Sequence, residues 1–342
     1  MKYSFRNDYG EIGNPEIIKI LLESAYEQTP GYGFDPYTKA LEKKFRELTK
    51  EDLSLYLVSA GTQTNMILID KALENYEAVI SVDTGHVNVH ETGAIEGSGH
   101  KILTTPGIDG KLTPEGVIEI LEEHVDFHMV IPKLVYISNS TELGTVYRLE
   151  EIQALYRLCQ EKGLYFYIDG ARLASALASS VANYTLADIA KYSDAFYFGG
   201  TKNGILYGEA LLIKNKQLKE NFHHHLKNKG GMLAKSYVVA KMFLRLLEDD
   251  LYLKHARHAN YCAEQLIKGL DLLAVPHLPP NHTNQIFLTL NNETIARLSE
   301  DYKFDIWSPG KKESMIRLVT SWATDIKMCE EFILDLKKIL NK

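Results

Sequence analysis

The chain has 342 residues, 45% of them apolar, and sets 38 Lys+Arg against 45 Asp+Glu for a net charge of −7. That length predicts about two domains, and the acidic balance argues against a nucleic-acid partner, because no basic excess is present to displace phosphate counterions. No apolar stretch of the signal-peptide kind opens MKYSFRNDYGEIG, no run approaches the roughly 18 apolar residues of a membrane span, and Cys159, Cys262 and Cys329 form no CxxC pair. The expectation is a cytoplasmic protein with buried thiols and no membrane partner.

The first strong element is the apolar run LSLYLVS (53–59), read as a buried strand, followed by SAGTQTN (59–65). There a glycine turns the chain and hydroxyl and amide residues open a helix, expected over 64–75. Backbone N–H groups at such a helix start make an anion site that suits a phosphate, with Gly61 and Thr62 as the candidate donors; an ordinary cap by Thr62 or Thr64 is the plainer alternative. A second strand, AVISV (78–82), runs into DTGHVNVHETGA (83–94). Zinc spacing is conceivable in HVNVHE, but no cysteine or third ligand stands near, so no metal is assigned. A flat imidazole at His86 above a flat ring suits the pattern better. PGIDGKLT (106–113) lacks P-loop spacing and reads as an Asp-Gly turn.

Helices are expected over 113–124 and 148–163, the latter with apolar spacing at Leu149, Ile152, Leu155, Tyr156 and Cys159 and a closing glycine. Strands KLVYIS (133–138), LYFYID (164–169) and DAFYFG (194–199) complete a strand–helix alternation that predicts a mainly parallel α/β sheet covered by helices. Asp169 ends one of these strands, on the edge where such sheets bind ligands, and Arg172 follows in YIDGARL. Lys202 lies 33 residues later in YFGGTKNGILYG, among glycines that let a bulky partner approach. A carboxylate able to hold a protonated ring nitrogen, a lysine able to form a Schiff base and a phosphate cradle are the handles a protein uses on pyridoxal 5'-phosphate. Further on, HHH at 223–225 reads as an exposed helix face. Residues 232–270 read as helical, NQIFLTL (284–290) and SMIRLVTSWA (314–323) as strands, and KMCEEFILDLKKIL as a closing amphipathic helix. The expected division is an N-terminal segment 1–25 packing with the small domain, a large cofactor-binding α/β domain 26–250, and a small C-terminal α+β domain 251–342.

Assembled, these residues resemble the threonine aldolases of the pyridoxal-phosphate β-eliminating lyase superfamily, fold type I, in register over nearly the whole chain. FRND (5–8) looks like the family's opening Arg-Ser-Asp with Asn7 in place of serine, and GYGFDPYT (31–38) resembles its Tyr-Gly-x-Asp-Pro loop. GTQTN, GHVNVHETGA, IDGAR (168–172), GGTKNG (199–204) and IRLVTSWATD (316–325) match the phosphate, ring-stacking, ring-nitrogen, lysine and late arginine motifs in turn. The resemblance implies a Schiff base at Lys202, ring-nitrogen pairing by Asp169, Arg172 near the phenolic oxygen, Gly61 and Thr62 on the phosphate, and His86 over the ring. It implies that Arg317 binds a substrate α-carboxylate, that Asn7, Tyr32 and Asn139 complete the substrate site, and that His86 or a water it positions takes the β-hydroxyl proton. The implied reaction is retro-aldol cleavage of L-threonine or L-allo-threonine to glycine and acetaldehyde. The implied assembly is a homo-oligomer, a dimer of dimers, with Tyr32 lent by the neighbour at the interface.

Two departures stand out. Thr141 in SNSTEL (138–143) occupies the place of a hydroxyl-side histidine, and Leu233 in KGGMLAK (229–235) that of an arginine, with Lys229 or Lys235 available to replace its charge. A β-elimination, an aminotransferase reaction, or a non-catalytic cofactor-binding module would use the same lysine, aspartate and phosphate loop. Sequence leaves those readings open.

Overall fold

The computed structural model describes residues 1–278 and 282–341. After a two-residue strand β1 (Tyr3–Ser4), the chain builds β2 (Ser54–Val58), β3 (Glu77–Val82), β4 (Lys101–Thr105), β5 (Ile131–Ser138), β6 (Tyr165–Asp169), β7 (Ala195–Gly199) and β8 (Glu209–Ile213). These seven form one sheet in the order β2-β8-β7-β6-β5-β3-β4. Only β8 runs against its neighbours, pairing antiparallel with both β2 and β7. The strands read from sequence are present; β4 and β8 are the additions. β4 is an edge strand with partly exposed positions and no apolar run beyond Ile102 and Leu103, while the short buried run Ala210–Ile213 of β8 is bounded closely by Glu209 and Lys214.

The aromatic strands show why the sheet carries chemistry. Side chains alternate across a strand, so Phe166, Ile168, Phe196 and Phe198 enter one core while Tyr136, Tyr167 and Tyr197 enter the other. The phenylalanine face packs on helices Leu149–Lys162 and Ser236–Leu246; the tyrosine face packs on helix Gly61–Ala72 through Ile67, Leu68 and Ile69. Each fully buried aliphatic side chain contributes about 1.5–3 kcal/mol. The tyrosine face carries its hydroxyls inward, where each needs a polar partner.

Helix Gly61–Ala72 begins three residues earlier than expected, because it opens on Gly61 from Ala60 with no side-chain cap. The long helical stretch is two helices, Ser236–Leu246 and Leu251–Leu272, broken where Asp249 and Asp250 take φ of 53° and 59°, a region that Asp tolerates better than most residues. The Asp-Gly turn is as read: Asp109 and Gly110 both have positive φ, and Ile108 bridges Lys111. His223 and His224 are exposed on helix Phe222–Asn228.

β9 (Gln285–Asn291), β10 (Tyr302–Lys303), β11 (Asp305–Ser308) and β12 (Glu313–Val319) follow. β11, β12 and β9 make an antiparallel sheet, and β10 pairs with β1. A third core gathers Ile286, Leu288, Ile316 and Leu318 with Phe332 and Leu336 of helix Ile326–Ile339 and with Phe5 from the N-terminus. Helix Pro15–Glu23 packs instead on Ser236–Leu246. Helix Leu251–Leu272 joins two cores, with Tyr252 and Ala256 in the phenylalanine core and Cys262, Leu266 and Leu270 in the third. All three cysteines are free and buried. Among the described residues no helix is long and apolar enough to cross a membrane.

Candidate active site

The carboxyl ends of β5, β6 and β7 lie together, and the chain leaves each through a tight turn. Gly170 follows β6 so closely that a Cβ there would stand 1.8 Å from the Tyr197 carbonyl oxygen. This approach of bare backbone draws the end of β6, with Asp169, to the end of β7. The chain then turns through a 3-10 segment, Thr201–Asn203, and leaves it by Gly204 at φ +101°. Lys202 is thereby fixed beside Asp169 by backbone that only glycine permits.

Asp169 is 3% exposed. Its Oδ2 accepts from Tyr136 Oη at 2.7 Å and Asn65 Nδ2 at 2.8 Å, and its Oδ1 from the Ala171 N–H at 3.0 Å. Burial opposes its charge, yet nearby His86 and the hydrogen bonds from Tyr197, Tyr136 and Ala171 outweigh that and hold the carboxyl below its usual range. Lys202 is half-buried; burial and the positive charge of Arg172 lower its pKa, despite Asp8, Asp169 and Glu209 nearby. A lysine shifted this way is nucleophilic at a lower pH than a surface one. Glu209 accepts the Gly200 N–H at 2.8 Å, and burial pushes its carboxyl up to about 7.

Asn65 ties the site to the histidine segment. Its amide nitrogen donates to both Asp169 and Glu91 Oε1, the latter at 2.7 Å, while Tyr167 Oη donates to its oxygen at 2.8 Å. Glu91 Oε1 lies 2.8 Å from His86 Nδ1. A carboxylate only accepts, so Nδ1 carries the proton and Nε2 is left toward the cleft. Ligand atoms of His86, Glu91 and Asp169 lie within 4.8 Å of one another, but the Asn65 amide already bridges the two carboxylates.

A cleft of about 710 Å³ opens above this floor, lined by His86, Glu142, Arg172, Lys202, Trp307 and Arg317 among others. Arg172 is held by a bidentate pair to Asp8, at 2.7 and 3.1 Å; burial alone would raise the Asp8 carboxyl, but Arg172 and Lys202 lower it. Arg317, on β12, reaches in from the third core. Its guanidinium binds Asp305 Oδ2 at 2.7 Å and Gln285 Oε1 at 3.3 Å and lies 4.9 Å from the Trp307 ring centroid. Helix Leu251–Leu272 touches the same region, His255 Nδ1 lying 2.8 Å from the Asn203 carbonyl oxygen.

The other residues singled out from sequence fall as follows. Gly61 and Thr62 form the first turn of their helix, whose N–H groups have no intrahelical acceptor and no side-chain cap. Asn7 follows cleft-lining Arg6 and precedes the buried Asp8, its Oδ1 taking the Tyr9 N–H at 3.1 Å. Asn139 is fully buried, donates to Tyr184 Oη at 2.8 Å, and gives its backbone N–H to the Asp169 carbonyl. Tyr32 is not brought to this cleft by its own chain: it lines a separate cavity with Phe34, Met232 and Leu233, under Lys227 at 4.6 Å. Lys229 is committed to Asp70 at 2.8 Å. Asp8, Asn65, Glu91, Glu142 and Asp305 are participants that motif reading passed over. All but Asp305 lie in the stretches quoted for other residues.

An uncapped helix start for a phosphate, an ionised buried aspartate for a ring nitrogen and a depressed lysine for a carbonyl carbon form a donor set that fits pyridoxal phosphate.

Comparison with known proteins agrees with this geometry. The profile of the beta-eliminating lyase family matches residues 13–293. The chain is 33% identical over 337 residues to a low specificity L-threonine aldolase of Pseudomonas sp. (strain NCIMB 10558), covering 96% of this chain and 95% of that one. It is 27% identical to a protein of the same name from Escherichia coli K12, over 80% of each. Among solved structures, Leishmania major threonine aldolase superposes with a TM-score of 0.97 at 42% identity, over 99% of both chains. An aspartate aminotransferase variant of Thermus thermophilus, 16% identical with a TM-score of 0.73 over 98% of this chain and 91% of that one, shares the fold.

Proposed function

Because the chain belongs to the β-eliminating lyase family, pyridoxal-phosphate enzymes of fold type I, we propose that it is a threonine aldolase, cleaving a β-hydroxy-α-amino acid to glycine and an aldehyde. The observation that carries this reading is the meeting of Lys202, Arg172 and Arg317 in one cleft above an ionised Asp169. Lys202 would hold the cofactor as a Schiff base, Asp169 would keep its ring nitrogen protonated, and the N–H groups of Gly61 and Thr62 would take its phosphate. When bound, the cofactor takes up the electron pair left on Cα as a bond to that carbon breaks.

The remaining work falls to this chain's side chains. Arg317, with Arg172 beside it, binds the α-carboxylate by a fork that fixes which Cα bond is aligned for cleavage. Arg172, anchored by Asp8, would also face the phenolic oxygen. His86 would cover the ring, its tautomer set by Glu91, and would turn Nε2 toward the substrate hydroxyl or a water beside it. Asn7 meets the substrate from the N-terminal segment, and Asn139 supports the floor through the Asp169 carbonyl.

The working assembly is a cytoplasmic homotetramer, a dimer of dimers, with each Tyr32 serving a neighbour's cleft. Supporting this, Tyr32 and Phe34 are 42% and 60% exposed and stand apart from their own Lys202, while the free buried thiols suit a reducing compartment. Each chain divides into segment 1–25, a large domain 26–250 and a small domain 251–342.

The test is an assay of cofactor-loaded protein with L-threonine and L-allo-threonine supplied separately and Lys202→Ala as the blank. Equal amounts of glycine and acetaldehyde, absent in the variant, are expected. Release of pyruvate or a keto acid in their place would overturn the reading.

A further inference from the structure

One carboxyl group in the cleft has no role in the scheme above. Glu142 lies just past the end of β5, on the loop that rises beside Asp169, since Ser138 and Asp169 are register partners. Its Oε1 accepts the Ser138 hydroxyl at 2.6 Å and the His86 backbone N–H at 3.1 Å, and it lines the same cleft as Lys202, His86 and Arg317. Thr141, at the position where a hydroxyl-side histidine was expected, is turned away. It is buried, its Oγ1 lies 2.7 Å from Thr145 Oγ1, and it accepts the Thr145 N–H at 3.1 Å.

We propose that Glu142 is the catalytic residue that takes the β-hydroxyl proton from the substrate, one position along from the place the motif suggests. This deepens the aldolase reading and rests on it. This moves the hydroxyl proton from His86, set toward it in the scheme above, to a neighbouring carboxylate. Asp305 is clamped between Arg6 at 2.9 Å and Arg317 at 2.7 Å. His86 is tied through Nδ1 to Glu91 and would lie over the ring, and His90 lies against Trp307, ring centroids 5.3 Å apart. The arginines cannot act as bases.

In the step, the substrate O–H bond breaks and its proton passes to the Glu142 carboxylate. The freed pair becomes the second bond of the aldehyde carbonyl. The Cα–Cβ bond breaks, and its pair stays with Cα for the cofactor to absorb. A proton added at Cα completes glycine, and Glu142 returns its own to water at the mouth of the cleft. Burial raises the Glu142 carboxyl above the ordinary carboxylate range, against the Ser138 hydrogen bond and nearby His86. This brings it closer to the pH at which a general base is effective.

The test is Glu142→Gln, which keeps the side chain's size and its acceptor for Ser138 and the His86 N–H. Two rates are measured on cofactor-loaded protein: cleavage of L-threonine and L-allo-threonine, and exchange of the glycine α-proton with deuterated water by NMR. Exchange uses Lys202 and the cofactor but no hydroxyl base. Cleavage should fall about 10²–10⁴-fold while exchange stays within about threefold of wild type. Glu142→Asp should recover part of the cleavage, and His86→Phe should lose less than Glu142→Gln. Cleavage by Glu142→Gln within about tenfold of wild type would overturn the assignment, as would exchange falling in step with cleavage. Wild-type protein that exchanges glycine but cleaves neither isomer would overturn the aldolase reading itself.

Discussion

Tyr136→Phe removes a single hydroxyl, the donor 2.7 Å from Asp169 Oδ2, and leaves a fully buried ring in place. A hydrogen bond to an ionised acceptor contributes about 1.5–3 kcal/mol, and Asp169 retains its bonds from Asn65 and Ala171. At 1.36 kcal/mol per unit, the same loss lifts the Asp169 carboxyl by about one to two pKa units. The sign follows from linkage. Because the native carboxyl is held below its ordinary value of 3.8, its ionised form stabilises the fold at pH above that value, and the contribution is lost as pH falls through the native pKa. The variant should therefore be about 1.5–3 kcal/mol less stable at neutral pH, and the gap to wild type should close on acidification. Urea unfolding of both proteins at one fixed concentration, at neutral pH and at the lowest pH where the fold persists, measures this. An equal loss at both pH values would refute the argument, because it would mean that packing rather than charge is at stake.

Arg317→Lys keeps the charge but loses the planar fork, so kcat/KM for amino-acid cleavage should fall about 10–100-fold, chiefly through KM, in steady-state assays; an unchanged KM would remove Arg317 from carboxylate binding. Asp8→Ala strips Arg172 of its buried partner and should cost about 3–5 kcal/mol in urea unfolding. Gly170→Ala sets a Cβ 1.8 Å from the Tyr197 carbonyl oxygen. Backbone must move there, so the variant should purify with little pyridoxal phosphate per chain, read from its visible absorbance, or not fold at all.

The parallel strands were legible because burial on both faces gives near-continuous apolar runs, and the helix Leu149–Lys162 because its spacing and Gly163 stop are both local. β4 was not, since an edge strand needs no such run, and the short run Ala210–Ile213 of β8 is hemmed in by Glu209 and Lys214. Asp169, Lys202 and Arg317 could be singled out because each sits in a short motif at a strand end or on a strand. Asp8 could not be, because its partner Arg172 lies 164 residues away and nothing local marks the pair. Glu91 and Glu142 were inside quoted motifs, yet their neighbours drew the attention: which of two adjacent polar residues faces a cleft depends on loop conformation, here the inward turn of Thr141 onto Thr145. Tyr32 lies in a cavity apart from the cleft of its own chain, a separation that no local motif marks.

Helix Leu251–Leu272 has a consequence for how the site tolerates change. Its 22 residues make a rod of roughly 33 Å. One end is keyed to the Lys202 turn through His255, and the other to the core that carries Arg317 through Cys262 and Leu266. The spacing between Lys202 and Arg317 is thus gauged by helical phase. Deleting one residue between Ala256 and Cys262 would turn one anchor about 100° relative to the other. Substitutions along this rod can leave every catalytic group intact, but a change in its length by a single residue cannot.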